Sequence, residues 1–222
     1  MKCKICHCDT KIFEDVELKK HFFYCSNCQC IRLDPTYYLA SEKEHALYNN
    51  HHNSLENEGY VKMFEDFLDY FWDDLIGKEK SLDFGSGPTP VLSQLIARRG
   101  AIVDCYDKFY QPNKCFENQT YDFITSTEVF EHLEDPYQTL QLLAEHLKPN
   151  GLIALMTLFH TSDQAHFLKW WYRRDPTHII FYTPKTLEIL GGKCGLEVMK
   201  TDNKRIIVLK RDSNGFRYLL NF

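Results

Sequence analysis

The sequence predicts an α/β fold: a mostly parallel sheet with helices on both faces, preceded by a small cysteine knuckle and a helical segment. Three observations predict it. From Ser81 onward, short apolar runs alternate with helical patterns, the arrangement that builds a covered parallel sheet. A glycine turn, Gly85-Ser86-Gly87, stands between the first such run and the first such helix. Six of the nine cysteines fall within residues 1–35, a segment with no long apolar period that closes on Pro35.

Taken in order, the elements follow from pattern. From Ser41 to about Ile76 the sequence is helical, with Val61, Phe64, Leu68, Phe71 and Leu75 three or four apart on one face. The polar, His-rich stretch from Asn49 to Gly59 interrupts it. Ser81 to Phe84 is a short buried strand. Pro88 to Arg99 is a helix, with proline tolerated in its first turn. Ala101 to Tyr106 and Tyr121 to Thr127 are the next strands. Pro136 to Leu147 is a helix stopped by Pro149, Asn150 and Gly151, and Leu152 to Thr157 is a strand. Thr186 to Gly191 is a helix ended by glycines, and Gly195–Thr201 and Arg205–Lys210 are closing strands. This divides the chain into a knuckle (1–35) and a main domain (36–222) whose first part, 36–78, is a helical cap. No internal repeat or low-complexity tract interrupts it.

Composition bounds the function. A chain of 222 residues holds one α/β domain and a small accessory unit. The apolar share of 44% and charged share of 26% are those of a soluble globular protein, and the aromatic share of 14% supplies core and ring-lined surface. A net charge of -5 disfavours nucleic acid as a partner, although a local basic patch is compatible with it. Met1 leads into Lys2, Cys3 and Lys4 with no apolar leader, and no apolar run approaches the roughly 20 residues that span a bilayer. A cytoplasmic location without membrane attachment is expected, and with it thiols or metal ligands rather than disulfides.

Cys3-x2-Cys6 and Cys25-x2-Cys28 form two pairs. A Cys-x2-Cys turn presents two thiolates to one ion, and two such turns complete a closed tetrahedral zinc site of structural type. His7, Cys8 and Cys30 are further possible ligands. Free buried thiols or a redox pair are the other readings, against which the symmetry of the pairs argues.

The run Leu82-Asp83-Phe84-Gly85-Ser86-Gly87-Pro88-Thr89-Pro90 needs glycine for a sharp turn and close backbone approach to a ligand. The helix N-terminus that follows faces that ligand, at the switch point of an open sheet. The dinucleotide pattern fails: Pro90 stands where a third glycine belongs, and Pro88 removes a donor that a pyrophosphate would use. Asp107, after the second strand, can accept both hydroxyls of an adenosine ribose.

Here a family resemblance emerges. Asp83-Phe84-Gly85-Ser86-Gly87-Pro88 resembles the first motif of class I S-adenosylmethionine-dependent methyltransferases, a Rossmann-like family. Tyr121 to Leu133, with Glu128-Val129-Phe130-Glu131-His132-Leu133, resembles its fourth strand and the following turn. Leu147-Lys148-Pro149-Asn150-Gly151-Leu152-Ile153 resembles its Leu-Lys-Pro-Gly-Gly entry to the fifth strand, with Asn150 in the first glycine's place. The match runs from about Ser81 to Leu209 and points to the broad group that includes ubiquinone-biosynthesis-type O-methyltransferases. The resemblance implies methyl transfer from S-adenosylmethionine to an unidentified acceptor, expected to be a small molecule. It places Asp83, Phe84, Gly85, Ser86 and Gly87 at the methionine end of the cofactor and Asp107 on the ribose. Lys108 and Phe109 then lie beside the adenine, with Thr127 and Glu128 beneath the cofactor. Between Asp107 and Tyr121 there is little room for the usual third strand and helix, which leaves Asn118 as the adenine-side candidate.

An oxygen or nitrogen acceptor usually loses a proton, and histidine suits that near neutral pH. Three clusters qualify: Tyr48, His51 and Asn53; His160, followed by His166, Trp170 and Trp171; and Arg173 to His178, leading to Phe181-Tyr182. His160 or His178 is expected as base or orienting group, with Tyr48, His51 and Tyr182 closing the pocket. His132 is expected to brace the turn after the fourth strand. Arg173-Arg174 reads equally as a clamp for an acidic acceptor or as a solvated pair. The rival functions are a nucleotide-sugar or tRNA-directed methyltransferase whose knuckle docks the acceptor, and a non-catalytic cofactor-binding scaffold. A nicotinamide oxidoreductase is disfavoured by the missing glycine and by Glu131-His132-Leu133.

Overall fold

The computed structural model describes residues 1–49 and 54–211. The chain opens with three short strands, β1 (Lys11–Asp15), β2 (Lys20–Tyr24) and β3 (Ile31–Leu33), paired antiparallel. Helices α1 (Ser41–Tyr48) and α2 (Glu58–Phe71) follow. The α/β alternation runs β4 (Lys80–Phe84), α3 (Val91–Arg98), β5 (Ile102–Tyr106), β6 (Tyr121–Thr127), α4 (Pro136–Glu145) and β7 (Leu147–Met156). It closes with α5 (Gln164–Phe167), β8 (Ile180–Phe181), α6 (Pro184–Lys193), β9 (Leu196–Thr201) and β10 (Ile206–Arg211).

The main sheet has the order β5-β4-β6-β7-β10-β9. The first four strands are parallel, and β10 pairs antiparallel with both β7 and β9. Each strand side faces a helical layer, so alternate residues of β7 enter different cores. Leu152, Ala154 and Met156 join Phe64, Phe67 and Phe71 of α2 and Leu92 and Leu95 of α3 on one face. Ile153 and Leu155 join Leu140 and Leu143 of α4 and Leu187 and Leu190 of α6 on the other.

Several local outcomes differ from the sequence reading. Helix α3 starts at Val91 rather than Pro88, because Pro88-Thr89-Pro90 holds the chain in a turn. Helix α4 ends at Glu145, and β7 already begins at Leu147. There Asn150 takes φ 62°, the pairing with β6 slips, and a Cβ on Gly151 would stand 2.8 Å from the Asp122 carbonyl. Leu75 lies just past α2 but is buried, and Phe67 joins the apolar face. Residues 107–120 hold only turns and the Asp107–Gln111 bridge, so β5 is the sheet edge, as the short spacing predicts.

The knuckle is not a separate core. Strand β8, from the main domain, pairs with β3 and completes a sheet of order β1-β2-β3-β8. Cys25, Cys28, Phe22 and Ile31 share a buried cluster with Phe181, Leu187 and Leu190. The boundary after residue 35 therefore marks a change of composition across which packing is continuous. No helix among the described residues is long and apolar enough to cross a membrane.

Candidate active site and cysteine centre

The carboxyl ends of β4, β5 and β6 open on a cavity of about 600 Å³, within the range of small-molecule sites. Its first wall is the glycine loop. Gly85 takes φ +88° and its N–H donates to the Tyr106 carbonyl at 2.7 Å; a Cβ there would meet Val129 Cγ2 at 2.1 Å. Gly87 takes φ +68°, with nothing within 4 Å of a Cβ position. One glycine thus packs under the turn and the other gives open backbone. Beneath them Asp83 is fully buried and accepts from Ser93 Oγ (2.7 Å) and Thr125 Oγ1 (3.2 Å). Burial pushes its carboxyl up to about 6.

Asp107 ties this wall together. Its Oδ2 accepts from Gly87 N (2.9 Å), and its Oδ1 from Phe109 N (2.8 Å) and Tyr110 N (3.1 Å). A carboxylate offers about four acceptor positions, so three backbone donors leave roughly one for a ligand. Helix α1 lies across the cavity from this side to the other. His45 stacks on Phe109 at 4.6 Å, Glu44 pairs with Lys108 at 3.4 Å, and the Tyr48 ring meets His132 edge-on at 5.3 Å.

The opposite wall comes from the turn after β6 and the loop before β8. Glu128 holds φ 53°, a left-handed conformation that non-glycine residues rarely adopt. The Tyr172 hydroxyl lies 3.1 Å from Glu128 Oε2 and 2.5 Å from Glu131 Oε1. Burial, with Glu131 beside it, pushes the Glu128 carboxyl well up, and burial raises Glu131 too. Each of two imidazoles is fixed by a backbone carbonyl: His132 Nδ1 by Thr177 O (3.0 Å) and His178 Nδ1 by Tyr172 O (2.9 Å). A carbonyl can only accept, so each neutral ring carries its proton on Nδ1 and its lone pair on Nε2.

All ten residues expected at the cofactor, Asp83, Phe84, Gly85, Ser86, Gly87, Asp107, Lys108, Phe109, Thr127 and Glu128, line this cavity. So do Tyr48 and His178 of the expected acceptor group, and Trp171. The structure moves two others away. After β7 the chain turns back toward the knuckle, where Phe159 bridges Tyr182 and His160 N donates to Tyr182 O. His160 is buried there, its Nδ1 accepting from Ser162 N at 3.0 Å and burial lowering it to about 4. Tyr182 is fully buried and donates to Phe130 O at 2.8 Å. Neither reaches the cavity. His51 and Asn53 lie outside the described residues, and Asn118 is exposed away from the cavity.

Two further expectations change. His132 does brace the turn, but it also lines the cavity. Arg173 is neither an acceptor clamp nor solvated. It is buried with its Nε 2.7 Å from Asp15 Oδ2 and its Nη2 2.7 Å from Glu17 Oε2, while Arg174 Nη2 reaches Glu17 Oε1 at 2.9 Å. The Nε–H is not aimed at Asp15, which makes that contact a charge pair rather than a hydrogen bond. Sequence reasoning gave no role to Tyr60, Tyr172 or the Glu131 side chain. The signal for Glu131 was present in Glu128-x-x-Glu131-His132, two acids and an imidazole within one turn.

In the knuckle the two cysteine turns are built alike. Cys3 N donates to Cys8 O and His7 N to Cys3 O; Cys25 N donates to Cys30 O and Gln29 N to Cys25 O. His7 (φ 61°) and Gln29 (φ 66°) take matching left-handed positions. The sulfurs of Cys3, Cys6, Cys25 and Cys28 lie within 4.8 Å of one another, with Cys3–Cys28 at 3.5 Å and Cys6–Cys25 at 3.4 Å. Tetrahedral zinc at about 2.3 Å from each sulfur sets neighbouring sulfurs about 3.8 Å apart, so the donor set fits. Cys8 is exposed, and the Cys30 thiol faces its own Ile31 carbonyl at 3.7 Å.

Comparison with known proteins agrees with this architecture. A family model described as a methyltransferase domain matches residues 55–201. The ubiquinone biosynthesis O-methyltransferase of Saccharophagus degradans is 27% identical over 127 residues, which cover 54% of this chain and 54% of that protein. The protein of the same name from Colwellia psychrerythraea is 33% identical over 78 residues, 35% of this chain and 31% of its own. The matches thus span about half and about a third of these curated relatives. Magnesium protoporphyrin IX methyltransferase from Synechocystis, solved with bound SAH, shares the fold at TM-score 0.53 and 15% identity over 77% of this chain and 94% of that one. Mitomycin 7-O-methyltransferase does so at TM-score 0.55 and 16% identity over 77% and 58%. With the family model covering most of the chain and the glycine loop at the head of a β5-β4-β6-β7 parallel sheet, the protein belongs to the class I S-adenosylmethionine-dependent methyltransferases.

Proposed function

We propose that the protein transfers the methyl group of S-adenosylmethionine to an oxygen of a small-molecule acceptor. The observation that carries this reading is the two-walled cavity, with a glycine-and-carboxylate wall facing a wall of Glu128, His132, Tyr172 and His178. The first wall suits the cofactor. Gly87 offers backbone with no side chain in the way, and Asp107, already accepting three backbone donors, keeps about one acceptor position that would suit a ribose hydroxyl. When bound, the cofactor would supply the methyl as a sulfonium substituent, and the acceptor hydroxyl would pass its proton to Nε2 of His178 on the second wall. The second wall orients the acceptor, and α1 covers the junction through Tyr48. The oxygen acceptor is supported by the relatives named as O-methyltransferases. The volume of about 600 Å³ suits a cofactor and a modest acceptor better than a nucleic acid.

We assign one structural zinc to Cys3, Cys6, Cys25 and Cys28. Four thiolates leave no open position, so the ion stabilises the fold and takes no part in transfer. Calorimetric titration with S-adenosylmethionine, S-adenosylhomocysteine and NAD in parallel tests the cofactor reading. Saturable binding of both adenosyl ligands and none of NAD is expected; absence of adenosyl binding overturns it. Elemental analysis is expected to give one zinc per chain, and less than about half an equivalent counts against the four-cysteine site.

A further inference from the structure

We infer that Cys6 and Cys8 are a peroxide-responsive thiol pair: oxidation joins them in a disulfide and withdraws Cys6 from the four-cysteine centre. The disulfide stands on its own residues; its effect on the ion rests on the zinc proposed above. The knuckle carries the pattern Cys-x2-Cys-x-Cys twice, at Cys3-Cys6-Cys8 and at Cys25-Cys28-Cys30. Four of these thiols face one another, which leaves Cys8 and Cys30 outside the centre. Backbone pairing repeats as well: Cys3 N donates to Cys8 O as Cys25 N donates to Cys30 O. The two spare thiols therefore hold equivalent positions, and their surroundings set them apart.

Cys30 is 3% exposed and its thiol faces the Ile31 carbonyl, closed to any solute. Cys8 is exposed. A second observation is independent of that exposure. The Cys8 thiol lies against Cys6 Sγ, and the Cys8 N–H donates to the same sulfur. Cys6 is itself the reachable member of the centre, half-buried where Cys3, Cys25 and Cys28 are buried. An accessible thiolate with a second thiol beside it is the arrangement of a redox-responsive cysteine and its resolving partner. Outside the knuckle, the thiols of Cys105 and Cys115 donate to oxygen instead, to Ser93 Oγ at 3.0 Å and to the Cys105 carbonyl at 3.2 Å.

The oxidant is a hydroperoxide. The Cys6 thiolate takes its terminal oxygen; the O–O bond breaks, and the departing alkoxide or hydroxide takes a proton from water. The Cys8 sulfur then attacks the Cys6 sulfenic acid; the S–S bond forms, and the departing hydroxide leaves as water with the Cys8 proton. The sulfurs lose an electron pair to the peroxide, which is reduced to an alcohol, or water, and a further water. A disulfide sulfur is no longer a thiolate donor, so the zinc would keep three ligands and its hold would fall. The Cys28 turn, whose carbonyl accepts from Thr186 Oγ1 at the start of α6, would then lose its anchor. The pair thus passes an oxidising signal from the surface to the element that follows the His178 loop.

The test uses the full-length, zinc-replete chain and hydrogen peroxide as the probe. Zinc release is followed with a chromogenic chelator, and thiols are mapped by alkylation, trypsin and mass spectrometry. Trypsin leaves Cys6 and Cys8 together in the peptide of residues 5–11, with Cys3 outside it. After peroxide that peptide is expected to be unalkylated and lighter by a pair of hydrogens, in step with zinc release. Dithiothreitol with added zinc should reverse both. Before peroxide, Cys8→Ser is expected to hold zinc and S-adenosylhomocysteine within about twofold of the parent, as a surface substitution does. After peroxide it lacks the resolving thiol, Cys6 proceeds to the sulfinic acid, and reduction restores at least about tenfold less zinc than in the parent. No disulfide in the 5–11 peptide, zinc retained with the disulfide formed, or equal recovery in the variant overturns the inference. Less than about half an equivalent of zinc before peroxide would sink the zinc reading; the state of the 5–11 peptide would still decide the thiol pair.

Discussion

At Gly85 two constraints coincide. Its φ of +88° disfavours any side chain, and a Cβ would overlap Val129 at 2.1 Å. Gly85→Ala is expected to cost about 1–2 kcal/mol from the backbone alone, more with the overlap. It should lower the affinity for S-adenosylhomocysteine at least tenfold, read by calorimetry; unchanged affinity would remove the loop from the cofactor site. Asp83 gives a pH signature. Its carboxyl is raised by burial to about 6, against about 3.9 in an unfolded chain. Between those values the folded state binds more protons than the unfolded one. The contribution of Asp83 is therefore greatest below about pH 4 and is lost as pH rises through about 6, by up to roughly 3 kcal/mol. Urea unfolding at pH 5 and pH 8 should show Asp83→Asn gaining on the parent protein at the higher pH. A relative loss there would mean that the charged carboxylate is favoured in the fold. These positions were legible because their chemistry is local: a glycine turn and an acid one strand later. His160 and His178 were not separable, because which way the chain turns after β7 is decided by packing against the knuckle.

At the scale of elements, the loop from Trp171 to His178 is held from outside the cavity. Arg173 is wholly buried between Asp15, at the end of β1, and Glu17 of the following turn, while its neighbour Tyr172 points inward to Glu128 and Glu131. The first hairpin thus sets the position of the cavity wall that carries Tyr172 and His178. Removing Arg173 takes the guanidinium from buried Asp15 and leaves it Lys20, its register partner on β2, and the Leu18 N–H; breaking a buried pair in this way typically costs up to about 3–5 kcal/mol. Arg173→Met should lower the melting temperature and reduce turnover with labelled cofactor while sparing S-adenosylhomocysteine affinity; an equal loss of both would place Arg173 in the general core instead. The hairpin strands themselves escaped sequence reading for a physical reason. In β1 only Asp15 is buried, and its apolar residues do not alternate, so the period-2 signal is absent. The helices that carry long apolar faces, α2 and α4, were read to within a few residues, whereas α3 was shortened by its two prolines.

For the molecule as a whole, the question is whether the cysteine centre is an appendage or part of one cooperative unit. The contacts favour one unit. The second cysteine turn touches the start of α6 directly: the Cys28 carbonyl accepts from Thr186 Oγ1 at 2.8 Å, and Gln29 Oε1 from Thr183 Oγ1 at 3.2 Å. Those two threonines form the capping box of α6, worth about 1 kcal/mol in a typical helix. Strand β8, separated from that cap by Tyr182 alone, closes the knuckle sheet and follows on the His178 loop. Removing the zinc proposed at the four cysteines would free the turn that positions all of these. A single unfolding transition at a lower temperature is therefore expected after chelation, with loss of amide-exchange protection in β8 and in the first turn of α6. An appendage would instead melt as a separate early transition, with α6 protection intact and S-adenosylhomocysteine affinity unchanged. In the one-unit case the zinc proposed at the four cysteines would govern activity by fixing the wall that carries His178, and turnover should fall in step with exchange at β8 as zinc is withdrawn.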